Sequence, residues 1–270
     1  MTRLYRCTGA LIAAIGCLLV VTPSASGVLA RPWPSLLGSR DAFPPEVSEA
    51  VDRVWFEPTL IRILNGHPVH VPFDVYVAFL DTPEVTAAAA RFRKLRSYEI
   101  RVLDGDRYWA SDGDGANGIA QVLRREPRRR VLLSRGEHSG PILGRISGSA
   151  LTILDLEPRE DVVNPRLTAY VHIDNRVAAA LARALTPSLG FLVDRKLGEG
   201  LRVTAEVAEW AVDLSGGFCE WLAREPLAAG RRDRILAVVP SCARTELPRA
   251  ALDRGSKHDV HTGAGAARAD

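Results

Sequence analysis

The stretch "SRGEHSG", residues 134–140, places two serines, a glutamate and a histidine close together. A nucleophile elbow of the hydrolase type needs G-x-S-x-G at a strand-to-helix corner, and neither Ser134 nor Ser139 has that spacing. The stretch lies between two runs with strand character, and its glycines and the following proline favour a hairpin turn. We therefore predict a turn, with Glu137 and His138 as polar groups at the rim of a cavity, because ligands often meet loops at strand ends.

Two other groups of residues resemble metal sites but lack further ligands. His67 and His70 flank a predicted turn at Asn65-Gly66, and a zinc site would need more donors than these two. The "DGDG" motif at residues 112–115 lacks the twelve-residue loop with a terminal bidentate acid that calcium sites use, so it indicates turn chemistry. The sequence thus predicts no metal, no cofactor and no catalytic residue.

Composition excludes a strongly polyanion-binding surface. The 270 residues include 35 basic and 32 acidic side chains, a formal charge of +3, which predicts a mixed surface and no nucleic-acid partner. The densest basic run, "RREPRRR" at residues 124–130, indicates a solvated hairpin turn, with peripheral contact to anionic lipid or polysaccharide as the alternative. The 47% of apolar residues suffices for one main domain with appendages.

The first thirty residues have the layout of a secretory signal. "MTRLYR" carries two arginines and no acid, and the apolar run "CTGALIAAIGCLLVV" and small residues follow it. The run is shorter than the roughly 20 residues of a bilayer-spanning helix. We predict a signal peptide over residues 1–30, cleaved after Ala30, and a periplasmic or secreted protein. A membrane-anchored N-terminus and lipid attachment at Cys17 are the alternatives.

Two cysteines remain after removal of the signal, Cys219 and Cys242. In an oxidising compartment they could form one disulfide. Two unpaired thiols are the open alternative, because the sequence gives no distance between them.

The order of elements is read from periodicity. Residues 31–69 are predicted to be an irregular lead-in with a short amphipathic helix, "EVSEAVDRVW", and a hairpin at Asn65-Gly66. "FDVYVAF", residues 73–79, alternates like a half-buried strand, and "DTPEV" then begins an alanine-rich helix that reaches about Leu95. A period of two follows as far as Ile173, which predicts an antiparallel meander.

The C-terminal third is predicted to be helical. One helical stretch ends at Thr186-Pro187, and a long amphipathic helix follows over residues 188–212. Its glycines at positions 190, 198 and 200 each cost about 1 kcal/mol relative to alanine, so we expect close packing or space for a ligand there. Residues 214–245 are predicted to be a short helical appendage and residues 246–270 a disordered tail.

A strand, the helix after "DTPEV", antiparallel strands and a long final helix together resemble the helix-grip fold of the START-like superfamily, which includes polyketide cyclases. "VAFLDTPEVTAAAARF" is similar to that superfamily's opening strand and helix, and the likeness covers about residues 70–213. It implies an α+β domain in which a curved antiparallel sheet wraps around a long C-terminal helix and encloses an apolar cavity. The resemblance implies that these residues bind the ligand, with the polar pair at the rim: Val75, Val77, Tyr98, Ile100, Glu137, His138, Ile146, Val171, Leu197 and Leu201.

The resemblance favours an exported binding protein for a hydrophobic small molecule or lipid. One alternative is a non-catalytic envelope protein that binds a partner without a cavity. Another is a cyclase or dehydratase in which Glu137, His138 or Arg145 performs acid/base work. Tyr170 and His172 lie on the face opposite Val171 and are expected to face solvent. The oligomeric state is left open.

Overall fold

A computed structural model describes residues 32–140, 144–239 and 241–242. The predicted signal and tail lie outside these residues. Seven strands form one antiparallel sheet in the order β1-β7-β6-β5-β4-β3-β2, so β2 to β7 are the expected meander. The strands are β1 Leu60–Asn65, β2 Glu99–Asp104, β3 Arg107–Ser111, β4 Ala116–Glu126, β5 Arg129–Gly140, β6 Gly144–Arg159 and β7 Val162–Ile173.

Six helices accompany the sheet in the described residues. They are α1 Pro45–Phe56, α2 Phe73–Asp81, α3 Pro83–Phe92, α4 Arg176–Asp213, α5 Ser215–Arg224 and α6 Ala229–Val238. The second half of α4 packs against the inner, concave face of the sheet, where Val203 and Val207 share a core with Leu154 and Leu167. A curved antiparallel sheet around a long C-terminal helix is the helix-grip arrangement that the sequence predicted.

The prediction of a strand over residues 73–79 is wrong, because these residues form α2. Val75, Tyr76, Ala78 and Phe79 are all buried, which includes adjacent positions that a half-buried strand would place on opposite faces. Helix α3 begins at Pro83, so "DTPEV" joins two helices.

The opening strand of the sheet is β1, and the hairpin expected at Asn65-Gly66 does not form. Strand β1 pairs with β7 along its whole length, from Leu60 opposite Val171 to Asn65 opposite Arg166. A Cβ built on Gly66 would lie 2.7 Å from Cγ of Pro165, so a side chain there would collide with β7. The sheet domain therefore begins near residue 60, earlier than the predicted residue 70.

Helix α4 is continuous, and the predicted break at Thr186-Pro187 is wrong. The Asn175 side chain accepts hydrogen bonds from the amides of Val177 and Ala178, which fixes the start of the helix. A proline inside a helix removes one backbone hydrogen bond, but the helix extends well beyond it on both sides. The expectation of close packing or ligand space at the helix glycines is not met at Gly200, which is exposed and where an added Cβ would have no neighbour within 4 Å.

The outer, convex face of the sheet is also covered. Helix α1 and the short 3-10 turn Ser35–Leu37 pack on β5, β6 and β7, with Val51 and Val54 fully buried. Tyr170 is buried and packs against Trp55 in a tilted arrangement at a ring-centroid distance of 4.7 Å, so the expectation that it faces solvent is wrong. His172 is partly buried, and its Nδ1 lies 2.7 Å from the carbonyl oxygen of Glu57.

Two further contacts tie the periphery to the domain. Cys219 of α5 and Cys242 form a disulfide with a Cα–Cα distance of 5.0 Å, and both residues are buried. The basic run forms the β4–β5 turn as predicted, but it is not fully solvated. Arg130 is buried and donates two hydrogen bonds, of 2.7 and 2.8 Å, to the carboxylate of Asp81 at the end of α2.

Candidate ligand-binding cavity

A cavity of about 500 Å³, widely open to solvent, lies on the inner face of the sheet. Strands β2 to β7 all contribute to its wall. The residues that line it through backbone or side-chain atoms include Tyr98, Ile100, Ala110, Asp112, Ala116, Gly118, Ala120, Ser134, Gly136, His138, Ile146, Gly148, Ala150, Val171 and Ile173. Most of these are apolar or small, which is the usual character of a small-molecule pocket.

The cavity exists because the inner face carries small side chains at this end. Side chains alternate between the two faces of a strand, and the register places Ala120, Ser134 and Ala150 side by side on β4, β5 and β6. Farther along β6 the same face carries Leu154 and Leu156, which are buried against the helices. One end of the inner face is therefore filled by packed side chains and the other is hollow.

A row of three glycines crosses the floor of the cavity. Gly118 pairs with Gly136, and Gly136 pairs with Gly148. A Cβ on Gly136 would lie 2.4 Å from the carbonyl oxygen of Asn117, and one on Gly148 would lie 2.5 Å from that of His172. Since even a methyl group would collide with the neighbouring strand, this glycine row permits the sharp bend of the sheet around the cavity.

Polar groups at the edge of the cavity hold α4 in place. The Tyr98 hydroxyl donates a 2.8 Å hydrogen bond to Oε1 of Glu199, which also accepts one from Arg96. Burial alone would raise the pKa of Glu199, but these hydrogen bonds outweigh it and hold the pKa below its usual range. Burial and the bond to the carboxylate together raise the pKa of Tyr98. Tyr98 is therefore a neutral donor that is already engaged.

A second contact joins α4 to the β3–β4 turn. Lys196 Nζ lies 3.0 Å from Oδ2 of Asp112 and 2.9 Å from Oδ2 of Asp114. Oδ1 of Asp112 accepts hydrogen bonds from the backbone amides of Asp114 and Ala116. These bonds stabilise the turn that was predicted for "DGDG". Burial would raise the pKa of Asp112, but those amides and Lys196 lower it overall.

The opposite edge of the sheet holds α4 as well. Arg62 of β1 forms a bidentate pair with Asp194, at 2.7 and 2.6 Å. Residues 194–199 of α4 are thus held by ion pairs at both edges of the sheet.

The residues "SRGEHSG" belong to strand β5, so the predicted hairpin turn at 134–140 is wrong. Residues 134–138 pair with β4 on one side, residues 134–140 pair with β6 on the other, and residues 141–143 lie outside the described residues. His138 is one of the β5 residues whose side chains lie on the inner face of the sheet. Glu137 alternates to the outer face, where it accepts a 2.7 Å hydrogen bond from Arg145. The three candidate acid/base groups are therefore split between the two faces of the sheet.

The predicted ligand-binding residues fall into two groups. Six of them border the cavity, although the Glu137 side chain lies on the outer face: Tyr98, Ile100, Glu137, His138, Ile146 and Val171. Val75 and Val77 of α2 and Leu197 and Leu201 of α4 lie in the packed core. Sequence reasoning missed the glycine row and Glu199. The glycine row depends on strand register, and the partners of Glu199, Arg96 and Tyr98, lie about a hundred residues away in the sequence.

Neither metal ligands nor a membrane span is found in the part of the chain that the structure describes. No three His, Cys, Asp or Glu side chains there are grouped as a metal ion would require. Likewise, no helix within these ranges combines the length and the apolar character needed to cross a bilayer.

Comparison with known proteins finds only solved structures of low sequence identity. No family model and no curated protein matches this chain. A conserved protein from Geobacillus kaustophilus is 18% identical over 56% of this chain and 97% of its own, with a TM-score of 0.43. Ara h 8.0201 is 9% identical over 55% and 98%, with a TM-score of 0.38. DynU16, from the dynemicin biosynthetic locus, is 16% identical over 55% and 47%, with a TM-score of 0.33.

Proposed function

We propose that this protein is an exported binding protein that holds a hydrophobic small molecule or lipid between the sheet and α4. The observation that carries the proposal is the cavity of about 500 Å³ with a floor of glycine and alanine. Its size lies within the roughly 300–1,000 Å³ of typical ligand pockets. An apolar guest would gain the free energy of leaving water without displacing packed side chains.

The polar groups of the cavity support binding rather than catalysis. Proton-transfer chemistry needs at least two ionisable groups that converge on a substrate. Tyr98 and Asp112 already hold α4 or its neighbouring turn, and Glu137 faces away from His138. Ser134 and His138 are left to make hydrogen bonds to a polar end of the ligand.

Adjacent residues on opposite faces of β4 provide the test. Ala120→Trp should fill the cavity, whereas Gln121→Trp places the same side chain on the other face. Titration with the fluorescent apolar probe anilinonaphthalene sulfonate and native mass spectrometry with a fatty-acid and sterol panel would measure binding. We expect Ala120→Trp to weaken binding by about tenfold or more, at least about 1.4 kcal/mol, and Gln121→Trp to bind like the wild type.

Two outcomes would contradict the proposal. Equal binding by Ala120→Trp and the wild type would place the probe elsewhere. Failure of Ala120→Trp alone to fold would show a filled core, because overpacking strains a core by about 1–3 kcal/mol and a hollow would accept the ring.

The export part of the proposal is supported by the leader-like first thirty residues and by the disulfide, which is typical of oxidising compartments. N-terminal sequencing of the protein recovered from its own host would test it. A mature chain that begins near Arg31 is expected, and a chain that still begins at Met1 would contradict a cleaved signal.

A further inference from the structure

The first half of α4 exposes a row of large apolar side chains. Val177, Leu181 and Phe191 are 78%, 39% and 64% exposed. At 3.6 residues per turn the three positions lie within about 80° of one another around the helix and extend over roughly 21 Å. Ala179, on the other side of this helix, is buried. We call Val177, Leu181 and Phe191 the outer stripe.

Positive charge accompanies the outer stripe. Residues 176–193 contain two arginines and no acidic residue. Arg176 and Arg183 are exposed, and together with Arg53 they line a cleft beside the start of α4, which Glu57 and Asp174 also line. An apolar helix face with cationic side chains beside it is the composition of helices that lie in the interface of an anionic membrane.

The helical segment that carries the outer stripe begins and ends next to the cavity wall. Ile173, just before α4, lines the cavity, and Lys196 binds Asp112 of the cavity wall. The helix between these two points carries the outer stripe on its solvent side. A surface that meets this face therefore comes close to the cavity.

We propose that the outer stripe and its arginines dock the protein onto an anionic phospholipid surface. The apolar side chains enter the boundary between headgroups and acyl chains, and Arg176 and Arg183 meet lipid phosphates. The docking itself does not require a ligand. Its purpose, the exchange of an apolar molecule with the bilayer, rests on the proposed function.

Vesicle co-sedimentation of the full chain tests the docking. The vesicles contain phosphatidylcholine alone, or phosphatidylcholine and phosphatidylglycerol at about 2:1. The stripe variant is Val177→Ser/Leu181→Ser/Phe191→Ser. The matched control is Ile61→Ser/Ile63→Ser/Leu214→Ser, which removes three similarly exposed side chains elsewhere. Each variant is also measured as a chain that begins at Arg31, the start of the proposed mature protein, which removes any binding through the apolar run near the N-terminus.

The stripe variant should partition into anionic vesicles at least about tenfold less than the wild type, because each buried CH₂ contributes about 0.8 kcal/mol. The control should bind like the wild type. Arg176→Gln/Arg183→Gln should lose the preference for anionic over neutral vesicles. Equal binding by the stripe variant and the wild type would overturn the proposal.

Two further measurements separate the proposals. If light scattering shows a dimer that only the stripe variant dissociates, and vesicle binding is unaffected, the outer stripe joins copies of this chain and the docking proposal fails.

Ala120→Trp should still bind vesicles. If the wild type binds vesicles but no probe from the panel, the proposed function fails and the docking proposal stands.

Discussion

The shape of the cavity depends on residues that have no side chains. Gly118, Gly136 and Gly148 lie side by side on three strands, and neighbouring backbone atoms occupy the space where their Cβ atoms would stand. No single glycine in the sequence indicates this, because the row exists only once the strands are in register. The resemblance did imply that Tyr98, Ile100 and Val171 bind the ligand, and all three border the cavity.

A methyl group at Gly136 tests the bend directly. Gly136→Ala places a Cβ 2.4 Å from the Asn117 carbonyl oxygen, and we expect it to lower the free energy of unfolding by about 1–3 kcal/mol in urea titrations. Gly200→Ala is the control. Its Cβ meets nothing within 4 Å on an exposed part of α4, so it should stabilise the protein by about 0.5–1 kcal/mol. An unchanged stability of Gly136→Ala would refute the role of the glycine row.

Among the elements, those with local signals were predicted and those set by distant contacts were not. The antiparallel run from Glu99 to Ile173 follows from a period of two and its turns. Strand β1 pairs with β7, more than a hundred residues away, and no local pattern reports such a partner. The alternation over residues 73–79 predicts a strand. A helix that is buried on several sides, as α2 is, can show the same alternation by coincidence.

Helix α1 is an integral layer of the domain, which predicts a large effect of its central aromatic residue. Trp55→Ala removes the ring packed against Tyr170 and should cost about 3–5 kcal/mol of unfolding free energy, measured by chemical denaturation. Phe56→Ala, at a neighbouring side chain that is 45% exposed, should cost only about 0.5 kcal/mol. Similar costs for both would show that α1 is a loosely attached lead-in.

At the scale of the whole molecule, α4 is fastened across the sheet by carboxylates, and this makes the fold sensitive to acid. The pKa values of Glu199 and Asp112 are lower in the folded protein than their ordinary values of 4.5 and 3.8. A group with a lowered pKa contributes stability that is fully present above its unfolded pKa and is lost as pH falls through the folded one.

We therefore expect the free energy of unfolding to decrease as pH falls below about 4.5. Thermal unfolding followed at a series of pH values measures this decrease. Glu199→Gln/Asp112→Asn should lower stability at neutral pH and flatten the acid dependence, whereas Glu220→Gln, at an exposed i,i+4 pair on α5, should leave it unchanged. A double variant with the wild-type acid dependence would assign the sensitivity to other carboxylates.

Because both faces of the sheet are covered, neighbouring residues of one strand serve different purposes. On β5, Leu133 packs beneath α1 while Ser134 borders the cavity. Substitutions at the inward-facing positions of β4 to β6 could thus change the ligand preference and leave the packing against α1 unchanged. The same separation of roles would let related proteins diverge in the ligand that they bind while they retain the fold.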